Sequence, residues 1–226
     1  MKKKWLISSI ITLALIGSFF LGQQFSSEVA ARSSTLWRSL LLKTGQTTSY
    51  VDYDDGYYEK GIAKSYTVLT AGQFAGTTNI TINSKTDVHS NNCVLDNNTG
   101  LMWSRYVSAS VGPASDGKIP WTTTGAGATA EGIYPYCAAA NVALLGGYGD
   151  WRVANRFELE SLFNIELISA NPDIIAFPSG WTASFWTSST VKEDTTYAWS
   201  MSVGWGGDTQ SRIKTNNYCI ALVRGG

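Results

Sequence analysis

Side chains that can move a proton, attack a substrate or ligate a metal are few and scattered in this chain. His89 is the only histidine among 226 residues and lies in an Asn/Ser-rich stretch, so neither a Ser-His-Asp triad, a Cys-His pair nor a histidine metal site can be assembled in the usual way. The sequence holds no G-x-S-x-G and no H-E-x-x-H. Asp173, Glu193, Asp194 and Asp208 are the acids of the C-terminal loops, and a carboxylate-only glycosidase drawing on them is the enzymatic alternative that stays open. Glu158 and Glu160 stand two apart in a helical pattern and so point to different faces, as a cap and a solvated side chain would. Asp52, Asp54, Asp55 and Gly56 suggest a calcium loop, but glycine falls fifth rather than sixth and the twelfth residue is Ala63; an Asp-Asp-Gly turn fits better. Gly125 to Ala130 matches a dinucleotide fingerprint in form only, with neither a buried strand before it nor an acid at the required distance after it, and reads as loop. The expectation is a protein that is not an enzyme, with no catalytic residues, no metal and no cofactor.

What the chain does concentrate is aromatic side chains. Trp181 to Gly226 holds four of the nine tryptophans and almost no acid-base chemistry. A recognition surface needs rigid aromatic anchors beside adaptable polar groups. Trp181, Ser184, Phe185, Ser200, Ser202, Trp205, Asp208, Gln210 and Arg212 form the candidate ligand-binding set. Trp205 sits in a Gly-Trp-Gly-Gly turn with few chain neighbours to bury it. Trp103, Trp151, Trp186 and Trp199 are expected in the core.

Positioning falls to the following elements. Lys2-Lys3-Lys4 and the uncharged run Trp5 to Leu21 form an export signal, with Val29-Ala30-Ala31 suited to cleavage after Ala31. The 17-residue run is also at the lower limit for an uncleaved anchor. Residues 32–86 read as an N-terminal extension, with a possible short helix from Ser33 to Lys43 and two short strands between Tyr66 and Asn83. Residues 87–226 read as the compact domain. In it Cys93–Leu95 and Leu101–Trp103 flank an Asp-Asn-Asn-Thr-Gly turn, and Ser104 to Glu131 reads as a long surface segment. Ile133–Leu145 is a helix stopped by Gly146-Gly147, and a second helix is capped by Asn155 with Glu158 three residues on. Strands follow at Phe185–Ser188, Tyr197–Val203, Thr209–Lys214 and Tyr218–Val223, the second with Trp199, Met201 and Val203 facing the core and Ala198, Ser200 and Ser202 on a small, polar face. Lys and Arg number 17 against 17 Asp and Glu, so bulk charge attracts no nucleic acid.

Asp96 to Trp103 (DNNTGLMW), Gly147 to Leu162 (GYGDWRVANRFELESL), Phe185 to Thr190 (FWTSST) and Ala221 to Gly226 (ALVRGG) together resemble the collagen-like adhesin C-terminal domain family (Lcl-type), formerly a domain of unknown function. Lys43 to Gly61 resembles the lead-in found ahead of that domain. Ala154 departs from the family's usual proline and loosens the start of the helix. The resemblance implies an α+β, C-type-lectin-like fold, mostly antiparallel β with two helices, whose first and last strands pair. It is similar in this to the variable proteins of diversity-generating retroelements, whose diversified side chains cluster just before the closing strand. Enzymes of the formylglycine-generating type share that fold, but their cysteines and metal have no counterpart placed here. If first and last strands pair, Cys93 and Cys219 are the disulfide candidate, leaving Cys137 buried on a helix; three free buried thiols is the other outcome. Arg224 is expected to pair with a core carboxylate or backbone carbonyls.

The expected function is that of a secreted or surface-displayed, adhesin-like protein that binds a protein or glycan at a cell surface through its C-terminal loops. Membrane contact is expected only through an uncleaved N-terminal segment. An exported enzyme of the same fold, or a structural surface or filament subunit, are the alternatives.

Overall fold

The computed structural model describes residues 41–122, 130–166, 172–173, 175–177, 181, 183–203 and 207–225. The chain divides into two units, Met1–Leu41 and Leu42–Gly226. All of the first except Leu41 lies outside the described residues, and with it the expected export signal and most of the expected helix from Ser33. Among the described residues no helix is long and apolar enough to cross a membrane.

The second unit is α+β and mostly antiparallel. One sheet has the order β1 (Tyr66–Leu69), β4 (Cys93–Asp96), β5 (Met102–Ser104), β12 (Leu222–Arg224), β7 (Arg152–Val153). A second has the order β10 (Asp208–Ile213), β9 (Tyr197–Ser202), β8 (Ser184–Thr190), β11 (Asn217–Ile220), β6 (Ile119–Pro120). A hairpin of β2 (Thr77–Ile82) and β3 (Lys85–Ser90) stands beside them. Three α-helices, α1 (Asp55–Tyr58), α2 (Ile133–Val142) and α3 (Arg156–Leu162), and two single 3-10 turns, Gly72–Phe74 and Leu145–Gly147, complete the described elements. The strands and the two helices expected from Tyr66 onward are thus present with shifted ends, the last strand divided and β3, β6 and β7 additional; of the expected helix from Ser33 only the end is described, and there Leu42 forms an isolated bridge with Ile62.

The β4–β5 hairpin forms where Asp-Asn-Asn-Thr-Gly requires a turn. The Asp96 carboxylate accepts from the Asn98 amide at 2.9 Å and the Thr99 hydroxyl at 2.8 Å, and Gly100 takes φ 75°, a left-handed geometry that glycine adopts without steric cost. Helix α3 starts as its sequence requires. Asn155 accepts from the Glu158 amide at 3.0 Å while the Glu158 carboxylate accepts from the Asn155 amide at 2.8 Å, a full capping box. Arg152 clamps the same carboxylate through two contacts of 2.7 Å. Burial works against ionisation of Glu158, but the Arg152 guanidinium and the Asn155 amide outweigh it and hold its carboxyl below the usual range.

Strand alternation divides the interior into two cores. Phe185 faces one, with Trp103, Leu159, Leu162, Phe163, Trp181 and Met201; Trp186 faces the other, with Ile80, Ile119, Tyr136, Trp151 and Ile220. Adjacent residues of one strand therefore anchor opposite layers. Covering on both faces explains a difference in β9: Ala198 and Ser200, expected on a polar outer face, are buried, whereas Trp199 is half-buried. The Ser104 to Glu131 segment also differs from a surface loop. Ser108, Val111 and Ile119 are buried, and Gly117 lies so close to the Ser108 carbonyl that a Cβ there would meet its oxygen at 1.9 Å.

The expected last strand is two. β11 joins the second sheet, beside β8 in parallel, and β12 joins the first, between β5 and β7. Ala221 is the buried link. The closing strand pairs with β5, so β4 is separated from it by one strand. This overturns the Cys93–Cys219 disulfide: Cys93 belongs to the first sheet and the second core, Cys219 to the second sheet and the first core, and all three cysteines are free and buried. Burial pushes the Cys93 thiol up to about 12 against the pull of Arg224, and raises Cys137 and Cys219 to about 11 each. Arg224 pairs with a carboxylate, but an exposed one rather than one in the core: its guanidinium grips Asp150 at 2.6 and 3.1 Å and lies 3.7 Å from the Tyr148 ring centroid.

Two outcomes follow from these contacts. Asn155→Ala should cost about 1 kcal/mol of stability by chemical denaturation, and an unchanged midpoint would remove the capping box from the account. The native protein should resist alkylation at all three thiols and become fully alkylated once denatured without reductant. A pair protected until reductant is added would restore a disulfide.

Candidate functional site

The expected recognition residues separate according to the register of three strands. Antiparallel pairing sets Ser184, Ser202 and Asp208 in one row across β8, β9 and β10, and Trp186, Ser200 and Gln210 in the next; Arg212 stands opposite Ala198. Directly opposed residues project to the same side, so all of these share one face of the sheet. At its inner end the face is core, formed by Trp186, Ala198 and Ser200. At its outer end it is open: Asp208 and Arg212 are exposed, and Gln210, Ser202 and Ser184 are half-buried.

Along the edge strand β10 the polar side chains hold one another. Gln210 Nε2 donates to Asp208 Oδ2 at 3.0 Å, and Arg212 Nη2 donates to Gln210 Oε1. One acid, one amide and one guanidinium thus present donors and acceptors side by side with balanced charge. Ser200 lies beneath them, its hydroxyl donating to the Gln210 carbonyl at 3.2 Å; it positions the strand and is not itself available to a ligand.

The opposite side of β10 is fastened to α3. Thr209 donates to Glu160 Oε1 at 2.6 Å, Arg156 Nε donates to the same oxygen at 2.8 Å, and the Arg156 guanidinium lies 4.3 Å from the Trp199 ring centroid. Their i, i+4 spacing on α3 signals the Arg156–Glu160 pair in the sequence. Nothing local signals that Thr209 and Trp199 would complete it.

Besides Ser200, two further expected contacts are corrected by burial. Trp181 is 2% exposed; its ring stacks on Phe185 with centroids 4.9 Å apart, packs edge-on against Phe177, and its indole N–H donates to the Arg105 carbonyl at 3.1 Å. Phe185 is fully buried on the same core. Both are anchors of the scaffold, because a large ring with no polar atom left unsatisfied gains most by leaving water. Trp103, Trp151 and Trp186 are buried as expected. Trp205 lies outside the described residues.

No metal-holding group of His, Cys, Asp or Glu occurs among the described residues. His89 is buried, with Nδ1 2.8 Å from the Ser90 carbonyl and Nε2 3.1 Å from the Tyr106 carbonyl. Asp194 accepts from the Thr196 hydroxyl and amide, which lowers its pKa below the usual range.

An α+β domain with a solvated polar edge strand on an aromatic core is thereby defined as a class. A family model described as the Lcl C-terminal domain matches residues 92–224, and the chain belongs to that family. The matched span opens just before β4 and closes with β12. No curated protein and no solved structure matches the chain.

Proposed function

We propose that this chain is a surface-displayed, adhesin-like binding protein of C-type-lectin-like architecture, exported by its N-terminal segment, that recognises a protein or glycan ligand through Ser184, Ser202, Asp208, Gln210 and Arg212. The observation that carries this proposal is the continuous row of polar side chains on β8, β9 and β10, graded from core to solvent across one sheet face. Membership of the Lcl C-terminal domain family supports the adhesin-like role. The return of the closing strand to the sheet that holds the β4–β5 hairpin, with two helices beside it, supports the architecture.

Binding rather than catalysis is supported by the state of the nucleophiles and bases. The one imidazole faces two backbone carbonyls in the interior, and the three thiols are buried with their ionisation suppressed. Core packing does not dictate the side chains of Asp208, Gln210 and Arg212, so their identities can vary without loss of fold. A receptor diversified by a retroelement needs such positions.

The test is a triple replacement, Asp208→Ala, Gln210→Ala and Arg212→Ala, screened beside the parent on a glycan array and a cell-surface panel. Surface positions of this kind each change stability by about 0.5 kcal/mol or less, so circular dichroism and the melting temperature should change little while binding falls at least about tenfold. Equal binding by the folded variant would reject this face.

A further inference from the structure

Outside the family-matched span, the lead-in segment carries a second surface. Tyr50, Val51, Tyr53, Tyr57 and Tyr58 fall within nine residues and are between 48% and 78% exposed. A surface tyrosine by itself is ordinary; five large side chains held out together by a rigid turn are not.

The turn is fixed from beneath. One Asp54 carboxylate oxygen accepts from the Tyr50 amide at 2.8 Å and the Val51 amide at 3.4 Å, and the other accepts from the Tyr57 amide at 2.8 Å, which caps α1. Thr44 donates to Asp55. Gly56 packs against the Thr48 carbonyl, where a Cβ would come within 2.1 Å of the oxygen, so only glycine permits the approach. The base of the loop is tied to the residues after α3. Glu166 accepts from the Thr47 hydroxyl at 2.9 Å and from the Thr47 and Thr48 amides at 3.1 and 2.8 Å. Donation from the Thr48 and Thr47 side chains and amides brings the Glu166 carboxyl down to about 2, so the tether is ionised at any neutral pH. Tyr53 itself adopts φ 73°, a left-handed conformation that a non-glycine residue holds only where its surroundings impose it.

The three rings that close on one another are too near for a cage. Centroids are 5.5 Å apart for Tyr53–Tyr57, 5.1 Å for Tyr57–Tyr58 and 6.2 Å for Tyr53–Tyr58. They form a platform with outward faces, and one face already holds a cation: Lys60 Nζ lies 5.7 Å from the Tyr58 centroid. Between Lys43 and Lys60 the segment carries Asp52, Asp54, Asp55 and Glu59 against those two lysines, and Glu59 is paired with Lys43 at 3.0 Å. The surplus is negative. It repels anionic lipid and nucleic acid and favours a basic partner.

We propose that the tyrosine platform of Tyr53, Tyr57 and Tyr58 is a second docking surface, which takes an arginine-rich segment of another protein by stacking guanidinium groups on tyrosine faces beside Asp52. Rigid tyrosines lose little conformational entropy on contact, and guanidinium groups are weakly hydrated, so each stacked pair adds binding with little desolvation cost.

The experiment is fluorescence anisotropy of the full chain with a labelled nonapeptide of alternating arginine and glycine at low salt. Binding should weaken about tenfold in Tyr53→Ser/Tyr57→Ser, survive in Tyr53→Phe/Tyr57→Phe, weaken in Asp52→Asn, and decline as salt rises. If the double serine variant fails to fold, Tyr58→Ser, which removes the third ring of the cluster, gives the same reading. Absence of peptide binding to the parent overturns the proposal. So does equal binding by the serine variants, or displacement of the peptide by a neutral hexasaccharide.

Discussion

The closing segment Cys219 to Val223 has no face left for solvent, and the remainder of the domain is arranged around that constraint. Its side chains alternate strictly: Cys219, Ala221 and Val223 enter one core, Ile220 and Leu222 the other. The hydrogen-bond partners change sheet at Ala221 while the alternation continues unbroken. A run of five uncharged, mostly apolar residues is the composition a strand covered on both sides requires. A charge at any of them would be buried without a partner. Arg224, the first residue that can reach water, is taken up at once by Asp150 and Tyr148.

A strand shared by two sheets fixes where each sheet ends. In the second sheet, β11 and β8 lie inside and β10 lies at the edge. The gradient on that face, from Trp186 through Ser200 to Gln210, is a consequence of distance from the shared strand. Helix α3 holds the edge from the other side through Glu160 and Thr209, so the polar row is presented on a backed strand. Rigid backing of this kind lets surface side chains serve recognition without supporting the fold. The tyrosine turn has the same character by another route: Asp54 and Glu166 collect its amides, and the rings are left outside.

Features that depend on near neighbours were legible in the sequence. Asn155 and Glu158 announce a helix start because both partners of the capping box lie within four residues, and Asp96 to Gly100 announces a hairpin for the same reason. Burial of Trp181 is not legible in the sequence, because what buries it, Phe177, Phe185 and the Arg105 carbonyl, includes a contact 76 residues away. Ser200 is polar and alternates as a surface residue would, yet its hydroxyl is satisfied by a neighbouring strand's carbonyl, a partner that only register reveals. The cysteine pairing assumed adjacent first and last strands; the insertion of β12 beside β5 and the switch at Ala221 set Cys93 and Cys219 in different sheets. Only Ala221 stands between β11 and β12, and alanine in an apolar run gives no sign of a change of partner.

Native-state amide hydrogen exchange tests the division between scaffold and surface most directly. The amides of Ile220, Leu222 and Val223 should exchange only through global unfolding, with the slowest rates in the domain, while those of the edge strand Asp208–Ile213 exchange faster by local opening. Exchange of the closing strand at or above the rate of the edge strand would contradict the account.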